Sequence, residues 1–136
     1  MKFLIPDVGF KLKLTEDFTA KVLNEGRNYG VIMNYPSSRK LHDDTYDKAA
    51  KERTSWDEWK KFQFDITFPK DTVLTVARVY IRKGAKDFSS VTFNISETPL
   101  KCLTLKKQGG TWESYGARQF WLNLDQVHLM EFDVID

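Results

Sequence analysis

Cysteine is almost absent from this sequence of 136 residues, which contains only Cys102. A single cysteine cannot close an internal disulfide, and it cannot by itself build a cysteine-ligated zinc or iron–sulfur site. The longest apolar runs are far shorter than the roughly 20 residues that span a bilayer, and residues 1–6 are too short for a secretory signal. These absences predict a protein without membrane segments in a reducing compartment, the cytoplasm or a host's cytoplasm.

Glycine and proline are scarce, at 7 and 4 residues, and neither sign of charge dominates, because the formal net charge is +2. Aromatic residues make up 14% of the chain, enough apolar surface to offset chain entropy and exclude a disordered protein. Nucleic-acid-binding domains usually carry a stronger basic excess, and a charge of +2 excludes an acidic mimic of DNA. The sequence predicts one folded domain over residues 1–136.

Catalytic motifs are also missing: the chain contains no GxSxG, Walker loop, GxGxxG or HExxH. The best candidates for acid–base chemistry or a divalent metal are His42, Asp43, Asp44 and Asp47. Carboxylates in such a segment equally serve as helix caps and first-turn acids, and Cys102 has no base near it in sequence. We therefore expect no enzyme, no catalytic residue, no metal and no cofactor.

The dominant positive signal is alternation of apolar and polar residues, which predicts half-buried strands. The strand from 73 to 82 has the highest β-propensity, and its odd positions, from Val73 to Ile81, form the predicted core face. Its even positions begin with Leu74 and Val76 and continue with polar groups, so we expect the first half to be covered on both faces and the second half to face solvent or a partner. The predicted strands span residues 10–14, 18–22, 29–33, 62–68, 73–82, 91–95, 103–105, 118–124 and 130–134, with a tight turn at 125–127.

This pattern predicts a mainly β fold, a small antiparallel barrel or sandwich. The order of hairpins and turns over residues 72–134 resembles an SH3-like barrel, which we favour, with an OB-like barrel as the alternative. Residues 36–61 interrupt the alternation and are interpreted as an irregular insertion with a short helical part around residues 44–61. In it, Ser55 and Glu58 fit a capping box, and Trp56 and Trp59 share a helix face that we expect to pack onto the sheet.

Two segments combine basic and aromatic residues and are the candidate partner-binding sites. The first is a strip on the strand 73–82 and the segment after it, and the second is a glycine-containing segment between two predicted strands. Exposed aromatic and arginine side chains are frequent anchors of protein interfaces. The candidate residues are Arg78, Tyr80, Arg82, Lys83 and Lys86 in the first segment, and Lys106, Lys107, Trp112, Tyr115 and Arg118 in the second.

We interpret the chain as a non-catalytic protein-binding module, an accessory or inhibitory factor of the kind that a phage or mobile element encodes, which acts by occupying a partner's surface. A single-stranded nucleic-acid-binding barrel is one alternative, because cations beside rings suit phosphates and bases. A homo-oligomeric structural subunit is another. The sequence leaves the partner's identity and the oligomeric state open.

Overall fold

The computed structural model of the chain describes residues 7–81, 89–103 and 119–135. Within them the fold is mainly β, with seven strands in two antiparallel sheets and a few helices. The strands are β1 Lys11–Leu14, β2 Phe18–Leu23, β3 Gln63–Phe68, β4 Val73–Tyr80, β5 Ser90–Glu97, β6 Gln119–Asn123 and β7 Phe132–Ile135. The helices are α1 Tyr29–Asn34, α2 Pro36–Glu52, α3 Trp56–Trp59 and α4 Leu124–Val127.

The larger sheet has the strand order β6-β5-β4-β1-β7, and the smaller sheet pairs β2 with β3. Their apolar faces share one core, in which the Phe68 and Phe120 rings stack with centroids 4.7 Å apart. Alternation in the sequence produces this arrangement directly, since Phe64, Ile66 and Phe68 are buried while Gln63 and Asp65 are exposed. The predicted mainly β fold is confirmed. No closed barrel is formed by the strands that the structure describes, so the SH3-like barrel stays a prediction.

The prediction of a strand at residues 29–33 is wrong, because this segment forms helix α1. Gly30, Val31 and Ile32 are buried in succession, which a strand with one exposed face does not allow. A short apolar run does not distinguish a buried strand from a buried helix by periodicity. The helical part of the chain therefore begins earlier than predicted.

The insertion is also more regular than predicted. Helix α2 spans 17 residues from Pro36, rather than a short stretch around residues 44–61. Proline suits the first turn of a helix, where its missing N–H has no partner to lose. At the other end of the insertion, Ser55 Oγ accepts a hydrogen bond from the Glu58 backbone N–H at 3.2 Å, as the capping box predicts. Trp59 is 6% exposed, which confirms its predicted burial, and its ring packs against those of His42 and Tyr46 in α2. The side chain of Trp56 lies outside the described part of the structure.

The odd positions of β4 do not form the continuous core face that was predicted, although Val73, Leu74 and Val76 are buried, as expected for a first half that is covered on both faces. Leu74 and Val76, at even positions, are fully buried, whereas Thr75 is only partly buried. The register of β4 against β5 shifts between Val76 and Arg78, and such a bulge places one extra residue in the strand and reverses the alternation beyond it. The outer face therefore carries Arg78 and Tyr80. Ile81, expected in the core, is 49% exposed.

Two smaller features lie near the end of the chain. Residues Lys101–Leu103 form a 3-10 turn rather than the beginning of a strand, with Leu103 buried. The tight turn expected at 125–127 is the single helical turn α4. Among the described helices, none combines the length and apolarity needed to cross a bilayer.

The end of α2 offers a stability test, because Arg53 holds a left-handed conformation with φ 53° and ψ 43°. A side chain in this conformation costs about 1 kcal/mol, which glycine avoids. We expect Arg53→Gly to raise the free energy of unfolding by about 0.5–1 kcal/mol in urea denaturation. The matched control Lys48→Gly, inside α2, should lower it by about 1 kcal/mol. An equal loss of unfolding free energy in both variants would contradict a strained conformation at Arg53.

Candidate binding groove

The outer face of β4, β5 and β6 carries a grid of six polar and aromatic side chains. The strand register places them in two cross-strand rows, and neighbouring positions on one sheet face lie about 5 Å apart. The rows are Arg78–Thr92–Trp121 and Tyr80–Ser90–Asn123.

The inward-facing residues explain why this grid faces outward. Val91 and Phe93 of β5 and Phe120 and Leu122 of β6 are all in the core. Successive side chains of a strand point to opposite faces, so the residues between and beside them belong to the outer face. On β4 the bulge before Arg78 is required for Arg78 and Tyr80 to point to the same outer face as these residues of β5 and β6.

These side chains line a groove of about 400 Å³. Its lining is completed by Leu23, at the end of β2, and Arg27, in the turn that follows. Ser90 and Thr92 are 8% and 3% exposed, so they lie deep in the groove. Tyr80 is 51% exposed. The groove thus has hydroxyl groups at depth and an accessible ring at its rim.

One wall of the groove is held in place by Asn28, whose side chain is fully buried. Its Oδ1 accepts a hydrogen bond from the Trp121 backbone N–H at 2.8 Å, and its Nδ2 donates to the Leu23 carbonyl at 3.0 Å. The first bond satisfies a backbone donor on β6, an outer strand of its sheet, where such groups are otherwise open to pairing with another chain. Asn28 therefore fixes the turn that carries Arg27 against the rim of the larger sheet.

Trp121 is held by two charged neighbours from that turn. The guanidinium carbon of Arg27 lies 5.2 Å from the centroid of the indole ring, within the range of a cation–π contact. The indole Nε1–H donates to Glu25 Oε2. Arg27 Nε also donates to both oxygens of Glu25, at 3.2 and 3.4 Å. The charge of Arg27 is therefore paired within the protein.

Arg78 differs from Arg27 in its electrostatic surroundings. It is exposed on β4, and it forms no salt bridge with any other described residue. An anion that enters the groove therefore meets one cation that Glu25 neutralises and one that no described residue neutralises. The lining groups are guanidinium, hydroxyl, amide and aromatic, which bind ligands by charge, hydrogen bonds and stacking.

Of the ten predicted partner-binding residues, the structure places Arg78 and Tyr80 in this groove. The other eight lie outside the described residues: Arg82, Lys83, Lys86, Lys106, Lys107, Trp112, Tyr115 and Arg118. Segment 82–88 joins the groove end of β4 to β5, whereas segment 104–118 leads into Gln119, which pairs with Asn94 farther along β5. The two predicted segments therefore join the sheet at different positions along β5.

Sequence reasoning missed Arg27 and Trp121. A signal for Trp121 exists, because it stands between Phe120 and Leu122 and so projects a large ring from the polar face of a strand. Arg27 has no comparable signal. Its neighbours in the turn 24–28 are ordinary turn residues, and the ring that it covers belongs to a distant part of the sequence.

His42 is part of the core packing. It is 8% exposed, and its ring centroid lies 5.6 Å from that of Trp59 and 5.8 Å from that of Phe64. Its Nδ1 lies 3.3 Å from Asp43 Oδ1. No group of three metal-ligating side chains is found in the described residues, so Asp44 and Asp47 are not brought together with His42 as a metal site.

Cys102 is partly buried in the 3-10 turn. Burial raises the pKa of its thiol above the ordinary value, and a backbone hydrogen bond opposes this effect only in part. A raised pKa lowers the thiolate fraction at neutral pH, and the thiolate is the nucleophilic form.

The raised pKa of the Cys102 thiol predicts slow alkylation. Iodoacetamide should alkylate Cys102 at pH 7.5 more slowly than it alkylates free cysteine, and the rate should continue to rise above pH 9 as the thiolate forms. Mass spectrometry of timed samples measures both rates. A rate above that of free cysteine at pH 7.5 would show an activated thiol.

The role of Asn28 can be tested by removing its side-chain amide. Asn28→Ala removes both hydrogen bonds and takes the side-chain acceptor away from the Trp121 N–H, whereas the Leu23 carbonyl keeps its bond from the Glu25 N–H. The free energy of unfolding should therefore fall by about 1–3 kcal/mol. Asn94→Ala, on the exposed side of β5, is the matched control and should change it by less than about 0.5 kcal/mol. Urea denaturation measures both, and similar small losses would contradict the role assigned to Asn28.

Three comparisons, with protein-family models, with curated proteins and with solved structures, found no match to this chain. The groove itself brings together two arginines, a tyrosine and a tryptophan around buried hydroxyl groups.

Proposed function

We propose that the chain is a non-catalytic protein-binding module that occupies the surface of a larger partner and takes an acidic segment of that partner into the groove. One observation carries this proposal. Arg27, Arg78, Tyr80 and Trp121 come from three separate parts of the chain and converge on one groove. Tryptophan, tyrosine and arginine are the residue types that dominate the binding energy of protein interfaces.

The charge of the groove favours an acidic segment as its occupant. Arg78 has no salt-bridge partner among the described residues, and Ser90 and Thr92 present hydroxyl donors at depth. A carboxylate accepts hydrogen bonds from both kinds of group. The exposed ring of Tyr80 beside Arg78 adds an apolar surface for the neighbouring side chain.

Single-stranded nucleic acid is the second candidate, favoured by the accessible Tyr80 ring next to a cation. Two features count against it. Such proteins track the phosphate backbone with a positively charged groove, whereas the lining residue Trp121 of this groove is bound to the carboxylate of Glu25. The formal net charge of +2 is also small for a domain whose affinity comes from neutralising phosphates.

The proposal is tested by panning a random-peptide display library against the protein and its Arg78→Glu variant. The wild type should enrich peptides rich in Asp and Glu, and Arg78→Glu should weaken binding of the enriched peptides about tenfold or more. Arg39→Glu makes the same change of charge on an exposed position of α2 and should leave binding within about twofold, since it lies outside the groove.

Three outcomes would overturn the proposal. The first is an equal loss of peptide binding in Arg78→Glu and Arg39→Glu, and the second is no enrichment of acidic peptides by the wild type. The third is tight binding of fluorescein-labelled oligothymidine, lost in Arg78→Glu and weakened steeply by salt, which would assign the groove to nucleic acid. Size-exclusion chromatography with light scattering distinguishes a monomeric binder from a homo-oligomeric subunit.

A further inference from the structure

The Glu25 carboxylate is itself bound as a ligand would be. It accepts hydrogen bonds from the Trp121 indole N–H and from Arg27 Nε, which lies 3.2 Å from its Oε2. Charge-assisted bonds of this kind are the ones that proteins use to hold carboxylate and phosphate groups. The wall of the groove therefore already contains a set of donors arranged for an oxyanion.

The backbone of the turn does not depend on that carboxylate. The Glu25 N–H donates to the Leu23 carbonyl at 2.9 Å, and the Asn28 N–H donates to the Glu25 carbonyl at 2.8 Å. The Asn28 side chain independently joins the turn to Leu23 and Trp121. The Glu25 side chain can thus leave its donors while the turn keeps its position.

Both members of the ion pair are accessible to a second anion. The Arg27 side chain is 45% exposed and the Glu25 side chain is 33% exposed. Exposed ion pairs contribute little net stability, because water and salt compete for both charges. Exchange of one carboxylate for another at this position therefore has a low cost.

We propose that the Trp121 indole N–H and the Arg27 guanidinium form an oxyanion subsite at the edge of the groove, which Glu25 fills in the free protein and which an acidic side chain of the partner takes over. The identity of that partner rests on the function proposed above, whereas the subsite does not. When Glu25 is displaced, the groove presents two cations, Arg27 and Arg78. Glu25 thus determines how many negative charges the groove accepts.

Glu25→Gln tests the subsite without any protein partner. The variant retains an oxygen that accepts from the indole N–H, but it loses the charge that neutralises Arg27. The probe is inorganic phosphate, and the readout is the indole N–H resonance of Trp121 in a ¹⁵N NMR titration, assigned with Trp121→Phe. We expect Glu25→Gln to bind phosphate about tenfold more tightly than the wild type, because one competing anion has been removed.

The matched control is Glu52→Gln, which makes the same change of net charge at an exposed position of α2. It should bind phosphate within about twofold of the wild type, since general screening of distant charges is strong. The double variant Glu25→Gln/Arg27→Gln should lose the gain. Equal behaviour of Glu25→Gln and Glu52→Gln, or a gain that survives the loss of Arg27, would overturn the subsite.

The wild-type protein supplies a readout that does not depend on the Glu25 variant being folded. Saturating phosphate should shift the Trp121 indole resonance as the Glu25 carboxylate is replaced, and an unmoved resonance would count against the proposal. A labelled peptide with two adjacent glutamates forms the second arm, and Glu25→Gln should bind it about fivefold more tightly than the wild type, as expected when a competing charge is removed.

The phosphate titration and the peptide-binding measurement test the subsite and the proposed function separately. A phosphate gain in Glu25→Gln without binding of acidic peptides supports the subsite and contradicts the proposed function. Binding of acidic peptides that depends on Arg78 but is unchanged in Glu25→Gln supports the function and overturns the subsite.

Discussion

The buried side chain of Asn28 is the contact on which the groove depends. It joins the end of β2 in the smaller sheet to the backbone of β6 in the larger one through hydrogen bonds of 3.0 and 2.8 Å. An amide group supplies both a donor and an acceptor, so one residue satisfies backbone groups of opposite polarity on the two sheets. The turn that contains Arg27 is consequently fixed beside Trp121.

The second constraint is the bulge in β4. Without the extra residue between Val76 and Arg78, Leu74, Val76, Arg78 and Tyr80 would share one face of a regular strand, and the arginine would point into the core. The bulge separates the apolar first half from the charged second half. One end of β4 therefore packs in the core, and the other end lines the groove.

The two arginines of the groove differ in how their charges are paired. Arg27 is neutralised by Glu25 and lies over the ring of Trp121, whereas Arg78 has no salt-bridge partner in the described part of the chain. Under the function that we propose, a partner would meet the guanidinium of Arg78, hydroxyl groups at depth and aromatic rings. This combination is our reason for proposing an acidic protein segment rather than a phosphate backbone as the occupant.

Alternation along the chain determined most of the strands by itself. The bounds of β1, β2, β3, β5 and β7 follow within about two residues from the periodicity, because a strand with one buried face must place apolar residues at every second position. The hydrogen bond between Ser55 and Glu58 was also predictable, because the two residues are close together in sequence. The burial of Trp59 was predictable from its large apolar ring, but its packing against His42 and Tyr46 depends on the tertiary structure. The same alternation predicted that Arg78 and Tyr80 project from the outer face of β4, where they line the groove.

Tertiary structure decided the rest. Residues 29–33 are helical because Gly30, Val31 and Ile32 are all covered by the core, and their sequence alone is compatible with a strand. Helix α2 has few buried residues, Ser38 and His42 among them, so its pattern gives little sign of a helix of its full length. The pairing of Arg27 with Glu25 over Trp121 depends on two segments far apart in the chain. Local periodicity determines which face of a segment is apolar, but only the packing of one sheet on the other determines which distant side chains meet.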